Sequence, residues 1–102
     1  MKVLKEVTAE ELKSRLARQE DLLIIDVRER WEYEEYNIGA SNIPLGDLPH
    51  NLSGLPLDKG AEIILHCQSG KRSYQAQKYL GWQGFDNVKS LKGGIEAFIN
   101  CN

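Results

Sequence analysis

Cys67 lies at a junction between an apolar run and a polar loop, in the stretch IILHCQSGKRSYQAQKYL. Helix-forming residues follow from Ser73, so the cysteine is predicted to stand between the end of a strand and the start of a helix. Backbone N–H groups of such a loop and the positive end of the helix dipole would converge on the sulfur. Both lower the pKa of a thiol and favour the nucleophilic thiolate. Cys67 is therefore the candidate catalytic residue.

The loop after this cysteine carries residues suited to holding an anion. Gly70 permits a positive φ or a close approach to the backbone, and Lys71 and Arg72 add full positive charges. Cations at the start of a helix oppose its dipole, and this local cost favours a functional role for them. Gln68 and Ser69 are expected to contribute mainly backbone N–H groups. The candidate anion-binding loop comprises Gln68, Ser69, Gly70, Lys71, Arg72 and Ser73.

Three polar residues near the predicted strand ends are candidates for supporting roles. His66 precedes the cysteine in a strand, so its side chain is expected to point to the opposite face and to be structural rather than a base. Asp26 and Arg28 end another apolar run, LLIIDV, and are candidates for the pocket or its support. Asp26 could hold loop backbone, and Arg28 could line the pocket or pair with a carboxylate such as Glu32. A structural role is favoured for both.

The elements that position these residues follow from hydrophobic periodicity. Strands are predicted at residues 22–27, 42–43, 61–66 and 87–91. Helices are predicted at residues 9–18, 28–37, 72–84 and 93–100, the first with a capping box from Thr8 to Glu11. Residues 46–60 are predicted to be loop with one helical turn. Four aromatic side chains of the predicted helices are expected to pack in the core or against a helix rather than contact a ligand: Trp31, Tyr33, Tyr36 and Trp82. Alternating strands and helices predict an α/β fold, with a central parallel sheet flanked by helices on both faces.

The length and charge of the chain restrict its class. The 102 residues fit a single domain over residues 1–102, and 41% apolar content suffices for a core. A net charge of −2 gives no basic field, so nucleic acid is not an expected partner. Apolar runs are too short for a membrane span, and the N-terminal stretch lacks the apolar segment of a signal peptide. A cytoplasmic location is the expectation.

The two cysteines and two histidines do not have the spacing of a metal site. No metal and no cofactor are therefore expected. Cys101, next to the C-terminus, has no context that indicates chemistry, and whether it could resolve an intermediate on Cys67 is left open.

Motifs along nearly the whole chain resemble those of the rhodanese family, the thiosulfate sulfurtransferases. CQSGKRS resembles the family's active-site loop, and LIIDVRERWEYEEYNIGASNIPL resembles its Asp-Val-Arg strand and the segment after it. AQKYLGWQGFDNVKSLKGGIEAF resembles the closing part, with its Gly-Gly helix start. The six residues from Cys67 to Arg72 are one fewer than in the related dual-specificity phosphatases and arsenate reductases. A narrower loop is suited to one sulfur atom rather than a tetrahedral oxyanion.

This resemblance implies a thiosulfate:cyanide sulfurtransferase that works through a Cys67 persulfide. The implied partners are a small sulfur-donor anion such as thiosulfate and an acceptor, which is cyanide, a thiol or a protein thiol. A monomer is the expectation for a lone domain of this type.

Two alternatives remain open at this level. One is an enzyme of the phosphatase or arsenate reductase class, and the other is a non-catalytic module that keeps the loop only to bind anions or sulfur carriers. The presence of Cys67 together with both cations argues against the second alternative.

Overall fold

The structure, a computed structural model, describes residues 4–101. The single domain predicted over residues 1–102 extends beyond this range by residues 1–3 and 102. The strands are β1 (Lys5–Val7), β2 (Ile24–Asp26), β3 (Ser41–Asn42), β4 (Ile63–His66) and β5 (Val88–Leu91). The helices are α1 (Ala9–Ala17), α2 (Arg30–Glu35), α3 (Lys71–Trp82) and α4 (Gly94–Asn100), with a 3-10 helix at Leu45–Gly54.

All pairings between the five strands are parallel, in the order β1-β5-β4-β2-β3. β4 lies at the centre, between β5 and β2, and its four residues are all buried. A run that is apolar at consecutive positions suits a strand covered on both faces, because alternate side chains enter opposite halves of the core. The predicted α/β fold with a parallel sheet is confirmed.

The core has two halves, one on each face of the sheet. Ile63 and Leu65 of β4 belong to a buried cluster with Ala76 and Leu80 of α3 and residues of the 3-10 helix. Ile64 belongs to the opposite cluster, against α1 and α4. Cys67 packs with the first cluster, whereas Cys101 packs against the second. The sheet therefore separates the two thiols in this structure.

Several local predictions are confirmed and others are wrong. The capping box of α1 is present, with the Thr8 hydroxyl accepting from Glu11 N–H at 3.1 Å. β1 was not predicted, because its three residues KEV contain one apolar side chain and become a strand only by pairing with β5. Residues 46–60 were expected to be loop with one helical turn, but the helical part is a longer 3-10 helix at Leu45–Gly54 with Leu48 fully buried, and irregular chain follows it. α3 begins at Lys71, slightly earlier than expected.

The expectation for the aromatic side chains is largely wrong. Trp31, Tyr36 and Trp82 are 63%, 51% and 77% exposed, since the polar faces of their elements point to solvent. Tyr33 is partly buried, and its hydroxyl donates to the Ala40 carbonyl at 2.6 Å. An aromatic residue in a short charged helix does not by itself indicate which face it occupies.

Candidate active site

Cys67 directly follows β4, at the carboxyl end of the central strand, and is only 1% exposed. Sites in open parallel sheets form at this edge, where loops leave the strands. The chain turns from Cys67 into α3 through Gly70, the N-cap of the helix, whose φ is +114°. Only glycine adopts this conformation without strain. The glycine predicted on conformational grounds is therefore required by the backbone.

Backbone N–H groups of the loop point at the sulfur. Gly70 N–H donates to Cys67 Sγ at 3.1 Å, and Ser73 N–H donates to it at 3.3 Å. The Ser73 hydroxyl oxygen lies 3.6 Å from the same sulfur. The predicted converging N–H groups are present, in a buried site where such dipoles act more strongly than in water.

The balance of burial and hydrogen bonds favours the thiolate. Burial of Cys67 works against ionisation, but the Ser73 N–H and hydroxyl and the N–H groups of Gly70 and Ser69 outweigh it. The pKa of the Cys67 thiol is consequently lowered from its ordinary value. A thiolate can attack sulfur without a general base.

The beginning of α4 holds the loop from its other side. Ile95 N–H donates to the Cys67 carbonyl at 2.8 Å, and Glu96 N–H donates to the Gln68 carbonyl at 3.2 Å. With these carbonyls directed towards α4, the loop can turn N–H groups inwards to the sulfur. A Cβ on Gly94 would lie 2.5 Å from the Gln68 carbonyl oxygen and 2.6 Å from that of Cys67. Gly94 also has a φ of +64°. Glycine is therefore required for two reasons, the lack of space for a Cβ and the backbone conformation.

Two residues that support the site were not among the sequence candidates. The Gly93-Gly94 pair in the sequence indicates the start of a helix. It does not indicate that Gly94 lies against the loop of Cys67. Ser90 of β5 lies with its hydroxyl 2.7 Å from the Ser73 hydroxyl, which also donates to the Gly70 carbonyl at 3.1 Å. Ser90 is an inward-facing serine in a short strand, and only the pairing of β5 with β4 brings it to the site.

Arg72 is bound by a carboxylate rather than left open to solvent. Its Nη1 and Nη2 donate to the two carboxylate oxygens of Glu32 in α2, at 2.6 and 2.9 Å. This interaction lowers the pKa of Glu32 to about 2, against the cost of its partial burial, and raises the pKa of Arg72. The interaction of Arg72 with the negative sulfur of Cys67 also raises the pKa of the arginine. Arg72 therefore lies within electrostatic reach of the Cys67 sulfur.

Asp26 and Arg28 form a buried ion pair that supports the site. Arg28 donates from Nε to both carboxylate oxygens of Asp26 at 3.1 Å, and from Nη2 to Oδ2 at 2.8 Å. It also reaches the Tyr36 carbonyl at 2.7 Å and the Gln68 side-chain oxygen at 3.5 Å. Arg28 pairs with a carboxylate as suggested, but the carboxylate is Asp26 and not Glu32. Asp26 also holds loop backbone, because its Oδ1 accepts from the Arg28 N–H at 2.9 Å in the loop after β2.

His66 is fully buried beside the same aspartate. Its Nε2 lies 3.6 Å from Asp26 Oδ2, and its Nδ1 lies 3.4 Å from the Cys67 carbonyl oxygen. Burial lowers the pKa of the imidazole, and the charge of Asp26 only partly counters this. The ring contacts no atom of the Cys67 side chain among the described hydrogen bonds, which agrees with the expected structural position.

Lys71 lies on the outer surface of the loop, where it is exposed. It lines a groove of about 590 Å³ together with Ser69, Tyr74 and Lys78. The two loop cations therefore have different surroundings, since Arg72 is paired with Glu32 and Lys71 faces solvent.

Comparison with known proteins agrees with this geometry. The family model described as Rhodanese-like domain matches residues 8–101, and the chain belongs to this family. A sulfurtransferase of Allochromatium vinosum is 38% identical over 97 residues, covering 94% of this chain and 89% of that protein. The Bacillus subtilis protein YtwF is 40% identical over 96 residues, covering 93% and 90%. The crystal structure of a rhodanese-like domain protein from Staphylococcus aureus has a TM-score of 0.84 at 30% identity, covering 93% and 91%.

The family and its named relatives support sulfur transfer as the general class of reaction. Within residues 4–101, every helix is too short or too polar to span a membrane. In the same range, no cluster of three or more His, Cys, Asp and Glu side chains is arranged to hold a metal ion.

Proposed function

We propose that the protein is a sulfurtransferase that carries sulfane sulfur on Cys67. One observation carries this proposal: the Cys67 sulfur lies at the end of β4 in a narrow loop, within hydrogen-bond distance of the N–H groups of Gly70 and Ser73. These donors favour a thiolate before any substrate binds, and they can equally stabilise a negatively charged persulfide. The membership of the chain in the rhodanese-like family supports this reading.

The reaction takes place in two half-reactions. In the first, the Cys67 thiolate attacks the outer sulfur of thiosulfate, a new S–S bond forms, and sulfite leaves with the electrons of the broken S–S bond. In the second, an acceptor nucleophile attacks the outer sulfur of the persulfide and restores the thiolate. With cyanide the product is thiocyanate, and with a small thiol or a protein thiol it is the acceptor's persulfide. Ping-pong kinetics follow from the covalent intermediate.

The surrounding residues have roles consistent with this scheme. The loop N–H groups bind the sulfur, and the Ser73 hydroxyl adds a polar contact 3.6 Å away. Asp26 holds the Arg28 guanidinium, which in turn donates to the side-chain oxygen of Gln68 in the loop. Lys71, directly after Gly70, supplies an exposed positive charge on the outer side of the loop.

The test is intact-mass measurement of the protein before and after incubation with thiosulfate. We expect the mass to increase by one sulfur atom and thiocyanate to appear when cyanide is added. Cys67→Ser should gain no sulfur, whereas Cys101→Ser, on the other face of the sheet, should gain it as the wild type does. A wild-type protein that gains no sulfur from thiosulfate or from a persulfide donor contradicts the proposal.

The two alternatives lead to different results in related assays. A phosphatase or arsenate reductase would hydrolyse a small aryl phosphate or reduce arsenate in a Cys67-dependent manner, without gaining sulfur from either donor. A binding module would do neither, and its Cys67 would react with iodoacetamide at neutral pH no faster than a model thiol.

A further inference from the structure

The catalytic loop and the charged side chains around it carry as many carboxylates as cations. The two terminal nitrogens of Arg72, which would bind an oxyanion, are both occupied by Glu32 at 2.6 and 2.9 Å. A second carboxylate, that of Glu96, accepts from the Gln68 side chain at 3.4 Å. The three cations of this region are Lys71, Arg72 and Arg28. Three carboxylates balance them, and these belong to Glu32, Glu96 and Asp26. Ionised Cys67 makes the site negative overall.

The position of Glu32 is firmly determined by the fold. Its side chain is 12% exposed and accepts three hydrogen bonds, two from Arg72 and one from Glu29 N–H at 2.9 Å in the capping box of α2. A substrate that recruited Arg72 would leave this carboxylate partly buried without its main partner, which is unfavourable. Arg72 is therefore withheld from substrates by a residue outside the loop.

We propose that Glu32 is a specificity-determining residue that disfavours doubly charged donors and adapts the site to persulfides of low charge. The inference rests on the proposed sulfur transfer. Thiosulfate brings two negative charges to a thiolate that has N–H donors around it but no net positive charge from the neighbouring side chains. A persulfide R–S–SH with an uncharged R group brings less negative charge, so its repulsion by the thiolate and the carboxylates is weaker.

The chemical step with such a donor needs no further reactant. The Cys67 thiolate attacks the outer sulfur of R–S–SH and forms the Cys67 Sγ–S bond. The S–S bond of the donor breaks, R–S⁻ leaves with its electron pair, and the transferred sulfur keeps its hydrogen. Water protonates the leaving thiolate in solution. The reacting groups together carry one negative unit before and after the step, and this charge moves from Cys67 to the leaving thiolate.

The experiment measures the rate constant for sulfur loading of Cys67 by rapid quenching and intact-mass analysis. The two donors are thiosulfate and the persulfide of 2-mercaptoethanol, each supplied to the wild type and to Glu32→Gln. Glutamine keeps the size of the side chain and an oxygen that can accept from Glu29 N–H, while it releases Arg72. We expect the thiosulfate rate relative to the persulfide rate to rise about three- to tenfold in Glu32→Gln.

Two further variants complete the design. Glu34→Gln removes an exposed carboxylate of the same helix, paired with Arg30 at 2.9 Å, and should leave the ratio of rates at its wild-type value. Glu96→Gln removes the carboxylate that contacts Gln68. Its side chain is exposed, so we expect the variant to fold. The ratio of the thiosulfate rate to the persulfide rate should rise by a smaller factor than in Glu32→Gln. Added salt should slow thiosulfate loading more in Glu32→Gln than in the wild type, because only the variant attracts the dianion.

The outcomes separate this inference from the proposed function. If the wild type gains sulfur but the ratio stays the same or falls in Glu32→Gln, the role of Glu32 is overturned and the proposed function is not. A ratio that rises equally in Glu34→Gln also overturns the role of Glu32, because the effect would then be one of net charge. A wild type that gains no sulfur from either donor overturns the proposed function and this inference together.

Discussion

The first turns of α3 and α4 meet the same loop from opposite sides, yet they act on different atoms. Each helix begins after a glycine of positive φ, Gly70 at +114° and Gly93 at +76°, and neither has a side-chain cap. The N–H groups at the start of α3 point at the Cys67 sulfur. Those at the start of α4, on Ile95 and Glu96, bind carbonyls of the loop.

This difference shows how the fold distributes the unpaired donors of helix ends. Helix N-termini always leave N–H groups without partners inside the helix. At the start of α3 these N–H groups donate to the Cys67 sulfur. At the start of α4 they instead donate to the carbonyls of Cys67 and Gln68 and fix the backbone that carries the sulfur. The chemistry of the site therefore depends on one helix, and its rigidity depends on the other.

The largest expected effect comes from disturbing the α4 side with Gly94→Ala. The added Cβ would lie 2.5–2.6 Å from two loop carbonyl oxygens, and the residue has a φ of +64°. We expect the free energy of unfolding to fall by about 3 kcal/mol or more, with a loss of sulfur loading of about tenfold or more. Urea titration and the loading assay measure both.

A glycine of α3 provides the matched control for this variant. Gly81→Ala adds the same methyl group in open space, within a helix and without a positive φ. It should leave loading intact and stabilise the protein by up to about 1 kcal/mol. Equal losses in the two variants would show that the loop does not depend on its contact with α4.

The next effect tests the charge at the start of α3. Arg72 opposes the helix dipole there, and Glu32 compensates it. Because the pKa of Glu32 is lowered to about 2 in the folded protein, the ion pair stabilises the fold above the ordinary glutamate pKa and loses this effect as the pH falls towards 2. We expect Glu32→Gln to lower the free energy of unfolding by about 1–2 kcal/mol at pH 7, allowing for solvent screening.

Urea titrations at pH 7, 4 and 2.5 check this prediction. The difference between the wild type and Glu32→Gln should shrink as the pH falls. A difference that is constant over this range would mean that packing of α2, and not the charge of Glu32, accounts for the loss.

The conformational requirement at the start of α3 is tested by Gly70→Ala. Its φ of +114° is unfavourable for alanine, but the added Cβ would approach no closer than 3.8 Å to Gly93 N. We expect a loss of about 1–2 kcal/mol, smaller than that in Gly94→Ala because strain acts here without a collision. Urea titration of both variants under one condition gives the comparison, and an equal or larger loss at Gly70 contradicts it.

The smallest effect is expected from Ser73→Ala, which keeps the backbone donor at the sulfur and removes the hydroxyl. The pKa of Cys67 should rise, because the hydroxyl is one of the groups that lower it. The pH profile of iodoacetamide alkylation should therefore move to higher pH, and the rate at pH 7 should fall about two- to fivefold. An unchanged profile would assign the lowered pKa of the thiol to backbone groups alone.

Structural features that depend only on residues close together in the chain could be predicted from the sequence. The strand, the tight turn at Gly70 and the helix are encoded within residues 63–82, so the arrangement of N–H groups around Cys67 could be predicted from a single segment. The parallel sheet also follows, because alternating apolar runs and helices have few other ways to bury their surfaces. β1 was missed because KEV has no periodicity of its own.

Only the tertiary structure decided which distant residues complete the site. Glu32 binds Arg72, Ser90 meets Ser73, and Gly94 lies against the loop, although local sequence patterns indicate none of these contacts. Hydrophobic periodicity specifies what an element buries, but the partners across elements depend on strand order and register. The strand-loop-helix setting of Cys67 was therefore predictable from the sequence, whereas the charges around its sulfur depend on the folded chain.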